Sequence, residues 1–167
     1  MSKRTMIKID AGKTRFNFRV AGLALRDGHV LVHRATHEKF WTFPGGRAEI
    51  GETSVETLTR EMREELGVAV NVGPLLWAVE NFFTFEKRDW HELGYYYRMT
   101  VPSSFPFASG SIIHTVEDGH SSLEFKWVPA TVATLKSLPL QPNFISDRIE
   151  NPPGTGEHLI WHETVPE

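Results

Sequence analysis

Cysteine is absent from the 167-residue chain, which excludes disulfides, thiolate metal sites and a cysteine nucleophile. Also absent is any apolar run long enough to cross a bilayer, and the opening MSKRTMIKID carries basic residues without the apolar stretch of a secretory signal. Neither sign of charge is in large excess. A formal net charge of -3 gives no basis for a general nucleic-acid or membrane-surface binder. Internal repeats and low-complexity segments are missing as well. These absences lead us to expect a cytoplasmic protein with no membrane and no nucleic-acid partner. What is present, 40% hydrophobic and 23% charged residues, is ordinary for a globular domain, and the length suffices for one domain with a substantial core.

The first strong pattern is FNFRVAGLALR (residues 16–26), then Asp27-Gly28, then HVLVHR (29–34). Two β-rich runs around Asp-Gly predict a hairpin. The short extended piece FWTF (40–43) closes on Pro44-Gly45-Gly46, a turn whose backbone can approach a ligand closely. Thr53 to Leu66 is the clearest helix: Thr53 and Glu56 form a capping-box pattern and Gly67 supplies the stop. Residues 68–72, 75–85, 94–101 and 123–128 are β-like, and 130–138 reads as a short helix. We expect residues 105–119 to be a loop carrying one short apolar piece at 111–116. The tail from Gln141, with its prolines, Gly154 and Gly156, reads as a wrap-around segment with a short helix near 144–149. Strands on both sides of one strong helix predict an α/β or α+β sandwich with a mixed sheet.

The helix from Thr53 carries an electrostatic conflict. At about 100° per residue, Val55, Leu58, Met62 and Leu66 form the stripe expected to bury itself. Glu61, Glu64 and Glu65 lie at i, i+3 and i+4 on a different face. They occupy the last turns, where the macrodipole disfavours acids, and the Glu61/Glu65 repulsion costs a further ~0.2–0.5 kcal/mol. Arg60 and Arg63 offset part of this. A solvated charged face is the ordinary explanation of such a cluster. Here the acids follow a Gly-rich turn and a loop that bears Glu52, and a divalent cation removes the conflict by turning repelling carboxylates into ligands. Mg²⁺ suits this best, since it takes a few carboxylates together with water and phosphate oxygens. The residues alone therefore point to metal-dependent phosphate chemistry.

The run Gly46, Glu52, Arg60, Glu61, Met62, Glu64, Glu65, Gly67 and Val68 resembles the Nudix box: Gly, five residues, Glu, seven residues, Arg-Glu, an apolar residue, any residue, Glu-Glu, any residue, Gly and an apolar residue. Every position is filled, and the preceding WTFPGG resembles the usual lead-in. The resemblance implies a Nudix fold, a mixed β-sheet sandwiched between α-helices, as a single domain over residues 1–140 with its core from about 14 and residues 141–167 wrapping around it. It further implies an Mg²⁺-dependent (or Mn²⁺-dependent) hydrolase that cleaves a diphosphate linkage in a small-molecule nucleotide. Glu61, Glu64 and Glu65 are the implied metal ligands, with the Gly46 carbonyl as an additional one. A box glutamate such as Glu64 or Glu61 assists the attacking water, and Arg60 and Glu52 hold loop and helix in register. A nucleoside triphosphate, a nucleotide sugar, ADP-ribose and a dinucleoside polyphosphate all remain open as substrates. The competing expectation is a Nudix-fold nucleotide-binding or regulatory module with little catalysis. Such modules commonly lose box carboxylates, and this chain keeps each of them.

Outside the box, Glu117 and Glu124 are candidates for an extra base or ligand, against the ordinary reading of surface acids. Glu80-Asn81-Phe82-Phe83 and His91-Glu92 stand where family members often set substrate choice. Among the aromatics Trp77, Phe82, Phe83, Phe85, Trp90 and Tyr95 to Tyr97, most are expected in the core or at a homodimer interface. Consecutive strand residues alternate faces, so only some can meet a base. The histidines show no metal-ligand spacing.

Overall fold

The computed structural model describes residues 4–165. Nine strands form one mixed sheet system: β1 (Lys8–Ala11), β2 (Thr14–Arg26), β3 (His29–Ala35), β4 (Gly45–Arg47), β5 (Asn71–Phe85), β6 (Arg88–Thr100), β7 (Ile112–Asp118), β8 (Ser121–Pro129) and β9 (Glu157–Thr164). Helices α1 (Ser54–Leu66) and α2 (Val132–Ser137) complete it. The strand order is β7-β8-β3-β2-β6-β5-β9, with β1 and β4 also pairing to β2. The β2–β6 and β5–β9 pairs are parallel. No helix among the described residues is long and apolar enough to cross a membrane.

The alternation along β2 explains the layers. Val20 and Ala24 enter the core that also holds Leu58, Met62 and Leu66 of α1, together with Phe125 and Trp127. Ala21 and Leu23, pointing the other way, join the core of Trp77, Tyr96, Phe144 and Leu135 of α2. The sheet is thus held between helices, as expected. At roughly 25 cal/mol per Å² of apolar surface, burying a Leu or Met side chain is worth about 1.5–3 kcal/mol, so Leu58 and Met62, both fully buried, anchor α1 more firmly than its helix propensity does.

The Asp27-Gly28 hairpin forms with both residues at positive φ (47° and 72°), the type I′ signature. A second turn of this kind, Glu86-Lys87 at φ 50° and 60°, joins β5 to β6. It contains no glycine or asparagine, which is why the sequence shows two separate β runs where the fold has one long hairpin, and why β6 starts at Arg88 rather than at Gly94. The capping box at Thr53 and the left-handed Gly67 (φ 70°) bound α1 as expected.

Three expectations need correction. Val55 is 43% exposed; it lies in the first turn, and the buried face is rotated away from it to run through Thr57, Leu58, Met62, Glu65 and Leu66. The apolar piece at 111–116 is not in a loop but in β7, paired antiparallel to β8. The tail has only a 3-10 turn at Asn143–Ile145, and then enters the sheet as β9 beside β5. Along EHLIWHET, Leu159, Trp161 and Glu163 are half-buried while Ile160 and His162 are exposed, as in an edge strand with one covered face; the prolines and glycines before it outweigh its β signal in the sequence.

Candidate active site

The β4 strand brings the Gly-rich turn onto β2 through the pairs Ala21/Gly45, Val20/Gly46 and Arg19/Arg47. Here glycine is required by close approach. A Cβ on Gly45 would collide with the Val20 carbonyl, and one on Gly46 would lie inside the Glu61 carboxylate. The turn is thereby pressed against α1 at the position of the first box acid of the helix.

Arg60 ties the loop to the helix. Its Nε and Nη2 donate to Glu52 Oε2 and Oε1 at 2.7 and 3.0 Å, a bidentate pair, and Nη2 also reaches the Arg47 carbonyl at 3.2 Å. Glu52 accepts further bonds from the Glu49 amide and the Thr57 hydroxyl, each at 3.0 Å. With these donors, Arg60 foremost, the Glu52 carboxyl is held down to about 2. The remaining nitrogen of Arg60, Nη1, donates to Glu61 Oε1 at 2.8 Å and Glu64 Oε2 at 3.3 Å.

The three helix acids occupy different environments. Glu64 is 59% exposed. Glu61 is largely buried, and burial raises its carboxyl above the usual range against the pull of Arg60. Glu65 is only 8% exposed; burial and the neighbouring Glu61 push its carboxyl well up. Glu65 Oε2 has no hydrogen-bond partner, and neither does His33 Nδ1, 3.8 Å away. The imidazole is fully buried and therefore held neutral, down to about 3. His114 Nε2 bonds the Glu65 carbonyl at 2.7 Å, so β7 satisfies an end carbonyl of α1 and fixes where Glu65 stands.

All three acids line a cavity of about 600 Å³ with Gly46, Glu49, Arg60 and Asp118. Among the described residues, no group of three or more His, Asp or Glu side chains is already gathered as a ligand set, because Arg60 holds Glu61 and Glu64 toward itself. The donor set nevertheless fits a hard divalent cation: two buried carboxylates one turn apart, a third at the rim, an orphan Glu65 oxygen and a glycine backbone pressed against Glu61.

Glu117 and Glu124 are turned elsewhere. Glu117 accepts from the Ser122 hydroxyl, and Glu124 pairs with Arg34 at 2.7 Å. Asn81, Phe83, Phe85, Trp90, Glu92 and Tyr96 reach the cavity. Phe82 and His91 stack on each other at 4.6 Å on the opposite face of the same strands. The cavity also recruits Asn17, Arg19, His33, Gln141 and Glu163, which the sequence did not single out. Alternation along β2 could have flagged Asn17 and Arg19 as polar positions in an apolar strand; nothing local flags Glu163.

Comparison with known proteins agrees with this geometry. The family model "NUDIX domain" matches residues 15–147. A Bacillus subtilis (strain 168) protein provisionally named an ADP-ribose pyrophosphatase is 23% identical over 134 residues, 80% of this chain and 62% of that one. The CTP pyrophosphohydrolase of Escherichia coli (strain K12) is 38% identical over 58 residues, 32% of this chain and 43% of that one. The chain thus spans less than two thirds of the length of these curated relatives. The crystal structure of a MutT protein from Bacillus halodurans shares the fold, with TM-score 0.59, 18% identity, and 89% and 90% of the two chains covered. With the family match running across most of the chain, and with Gly46, Arg60, Glu61, Glu64 and Glu65 lining one cavity and Glu52 tied to it through Arg60, the chain belongs to the Nudix family.

Proposed function

We propose that the protein is an Mg²⁺-dependent pyrophosphohydrolase that cleaves a diphosphate linkage in a nucleoside diphosphate derivative. The observation that carries this reading is a pair of carboxylates one helical turn apart at the cavity wall: Glu61, largely buried and sharing Arg60 with Glu52 and Glu64, and Glu65, buried with an oxygen that has no partner. Buried ionisable groups kept without a full partner cost stability and cluster where chemistry needs them.

Glu61, Glu64 and Glu65 would hold the cation, with the Gly46 backbone beside them. When bound, a divalent cation supplies charge neutralisation for phosphate oxygens and a lowered pKa for a coordinated water. The chain's own residues do the rest. Glu52 and Arg60 fix the loop against α1, so Gly46 and Glu61 keep their distance when a substrate arrives. Arg19 and Arg47, adjacent on β2 and β4, offer permanent positive charge at the cavity wall for an anionic substrate. Glu64, the most exposed of the three acids, is free to accept a proton from water within hydrogen-bond reach.

A panel of nucleoside triphosphates, nucleotide sugars, ADP-ribose and dinucleoside polyphosphates, assayed with and without Mg²⁺ or Mn²⁺, tests the reading. The expected result is release of phosphate, diphosphate or a nucleoside monophosphate only with metal. No turnover of any panel member would move the protein to the nucleotide-binding reading.

A further inference from the structure

The cavity's second end carries an array that the diphosphate chemistry does not use. Across β2, β6 and β5, Asn17, Glu92 and Asn81 stand in one register row. The next row on the same face holds Trp90, Phe83 and, from β9, Glu163. Asn17 Nδ2 donates to Glu92 Oε2 at 3.1 Å, and the Asn81 amide lies near enough to Glu163 to draw its carboxyl down against burial. The Asn17 amide thus spends its donor inside the protein. Asn17 Oδ1 and Asn81 Oδ1 are left with no partner, on residues each only 3% exposed that line the cavity. With its amide nitrogen facing the carboxylate, Gln141 donates to Glu163 Oε1 at 2.7 Å, which fixes that acid over the same space. Buried acceptors are rarely left empty, because each forfeits its hydrogen bond to water. Phe83 and Trp90 lie parallel, 4° apart at 5.9 Å, beside these acceptors.

We infer that this end of the cavity reads a guanine base: Asn17 Oδ1, Asn81 Oδ1 and Glu163 accept from its ring N–H and exocyclic amino group, against the flat wall of Phe83 and Trp90. The inference deepens the pyrophosphohydrolase reading and rests on it. A flat wall selects a planar ligand, and an acceptor row selects an edge with adjacent donors. Guanine presents a ring N–H beside an amino group. Adenine and cytosine place a ring acceptor beside their amino group, and uracil places carbonyls on both sides of its single N–H, so each sets lone pair against lone pair here. The Glu163 position lies beyond residue 147, the last in the family match, so the reading belongs to this chain's own β9.

The test compares GTP, dGTP, ITP, ATP and UTP as substrates of the full chain with Mg²⁺, alongside metal-free calorimetric titrations of GMP, IMP and UMP. ITP and IMP lack only the exocyclic amino group. The inference expects kcat/KM for GTP at least tenfold above ITP and a hundredfold above UTP, with GMP binding in the same order. Sites built to hydrogen-bond a group discriminate strongly against the analogue without it. Glu163→Gln should shrink the GTP/ITP ratio at least fivefold. Equal GTP, ITP and UTP values in an active enzyme overturn the inference and spare the hydrolase. A GTP/dGTP difference with GTP equal to ITP also overturns it, and assigns the acceptors to ribose hydroxyls. If nothing is turned over, the hydrolase reading fails, and the GMP/IMP/UMP titrations still decide the base.

Discussion

Replacing Glu52 by Gln isolates the contact between loop and helix. The Glu52 carboxylate is 4% exposed, accepts two bonds from Arg60, and is held down to about 2 from an ordinary 4.5. A difference of this size corresponds to about 3 kcal/mol favouring the ionised form in the folded protein, at 1.36 kcal/mol per pKa unit. The partial exposure of Arg4 and Arg60 around it reduces this to about 2–3 kcal/mol. For a chain of this length, about 2–4 °C per kcal/mol makes the expected loss in Tm near neutral pH about 5–10 °C. The sign with pH is set by the depressed value. The stabilisation is fully present above the unfolded pKa near 4.5 and disappears as pH falls through the folded value near 2. Thermal melts of wild type and Glu52→Gln from pH 7 to pH 2 should therefore converge on the acid side of pH 4.5. A constant gap across that range, or no gap at pH 7, would refute the reasoning that this ion pair holds the loop.

Other perturbations separate the remaining roles. Gly46→Ala places a methyl inside the Glu61 carboxylate, and overpacking of this kind costs about 1–3 kcal/mol; we expect a lower Tm and at least a tenfold loss of turnover, read by melting and by phosphate release. Glu64→Gln should lower kcat by about 10²–10⁴ if it takes the proton from water, with a melting curve close to wild type because the side chain is mostly exposed. Adding Mg²⁺ at about 100 times its Kd should stabilise the fold by about 2.7 kcal/mol; a Tm indifferent to Mg²⁺ at any concentration counts against the cation site. The Glu163 carboxyl, raised to about 7 chiefly by burial, makes the native state bind a proton that the unfolded chain releases near 4.5. Stability is then lost as pH rises from about 4.5 to 7, and Glu163→Gln should flatten that limb of the Tm profile.

The parts of the fold visible in the sequence are those whose signal is local. The Thr53/Glu56 capping box, Gly67 and the Asp27-Gly28 turn each act over four residues or fewer, and each forms as expected. The box end of the cavity was legible for the same reason, since Gly46 to Val68 is one contiguous loop and helix. What was not legible is what parallel pairing brings together. Asn17 meets Glu92 across 75 residues, and Glu163 reaches Asn81 only because β9 pairs in parallel with β5. Strand alternation sorts Asn81 and Phe83 from Phe82, but the alternation alone does not say which face is the cavity. The Glu86-Lys87 turn escaped because positive φ at both residues is imposed by the strands it joins, not by the residues themselves.

Three acids at the wrong end of a helix are tolerated unequally, and the inequality locates the site's unresolved cost. Arg60 divides its guanidinium: Nε and Nη2 belong to Glu52, and Nη1 serves Glu61 and Glu64. Glu64 is also exposed to solvent. The macrodipole and the like-charge repulsion on these two are therefore largely offset by the chain itself. Glu65 receives neither remedy. His33 beside it is buried and neutral, its Nδ1 standing at 3.8 Å without a hydrogen bond, and the field of Arg19 draws the carboxyl down only against burial and Glu61. Replacing Glu65 by a neutral residue of the same shape would relieve the burial of an ionisable group that no cation bonds. A fold selected for stability alone has no reason to keep this acid on the cavity wall with an oxygen left unbonded. The part of α1 that contributes least to folding is thus the part best suited to receive a cation from outside.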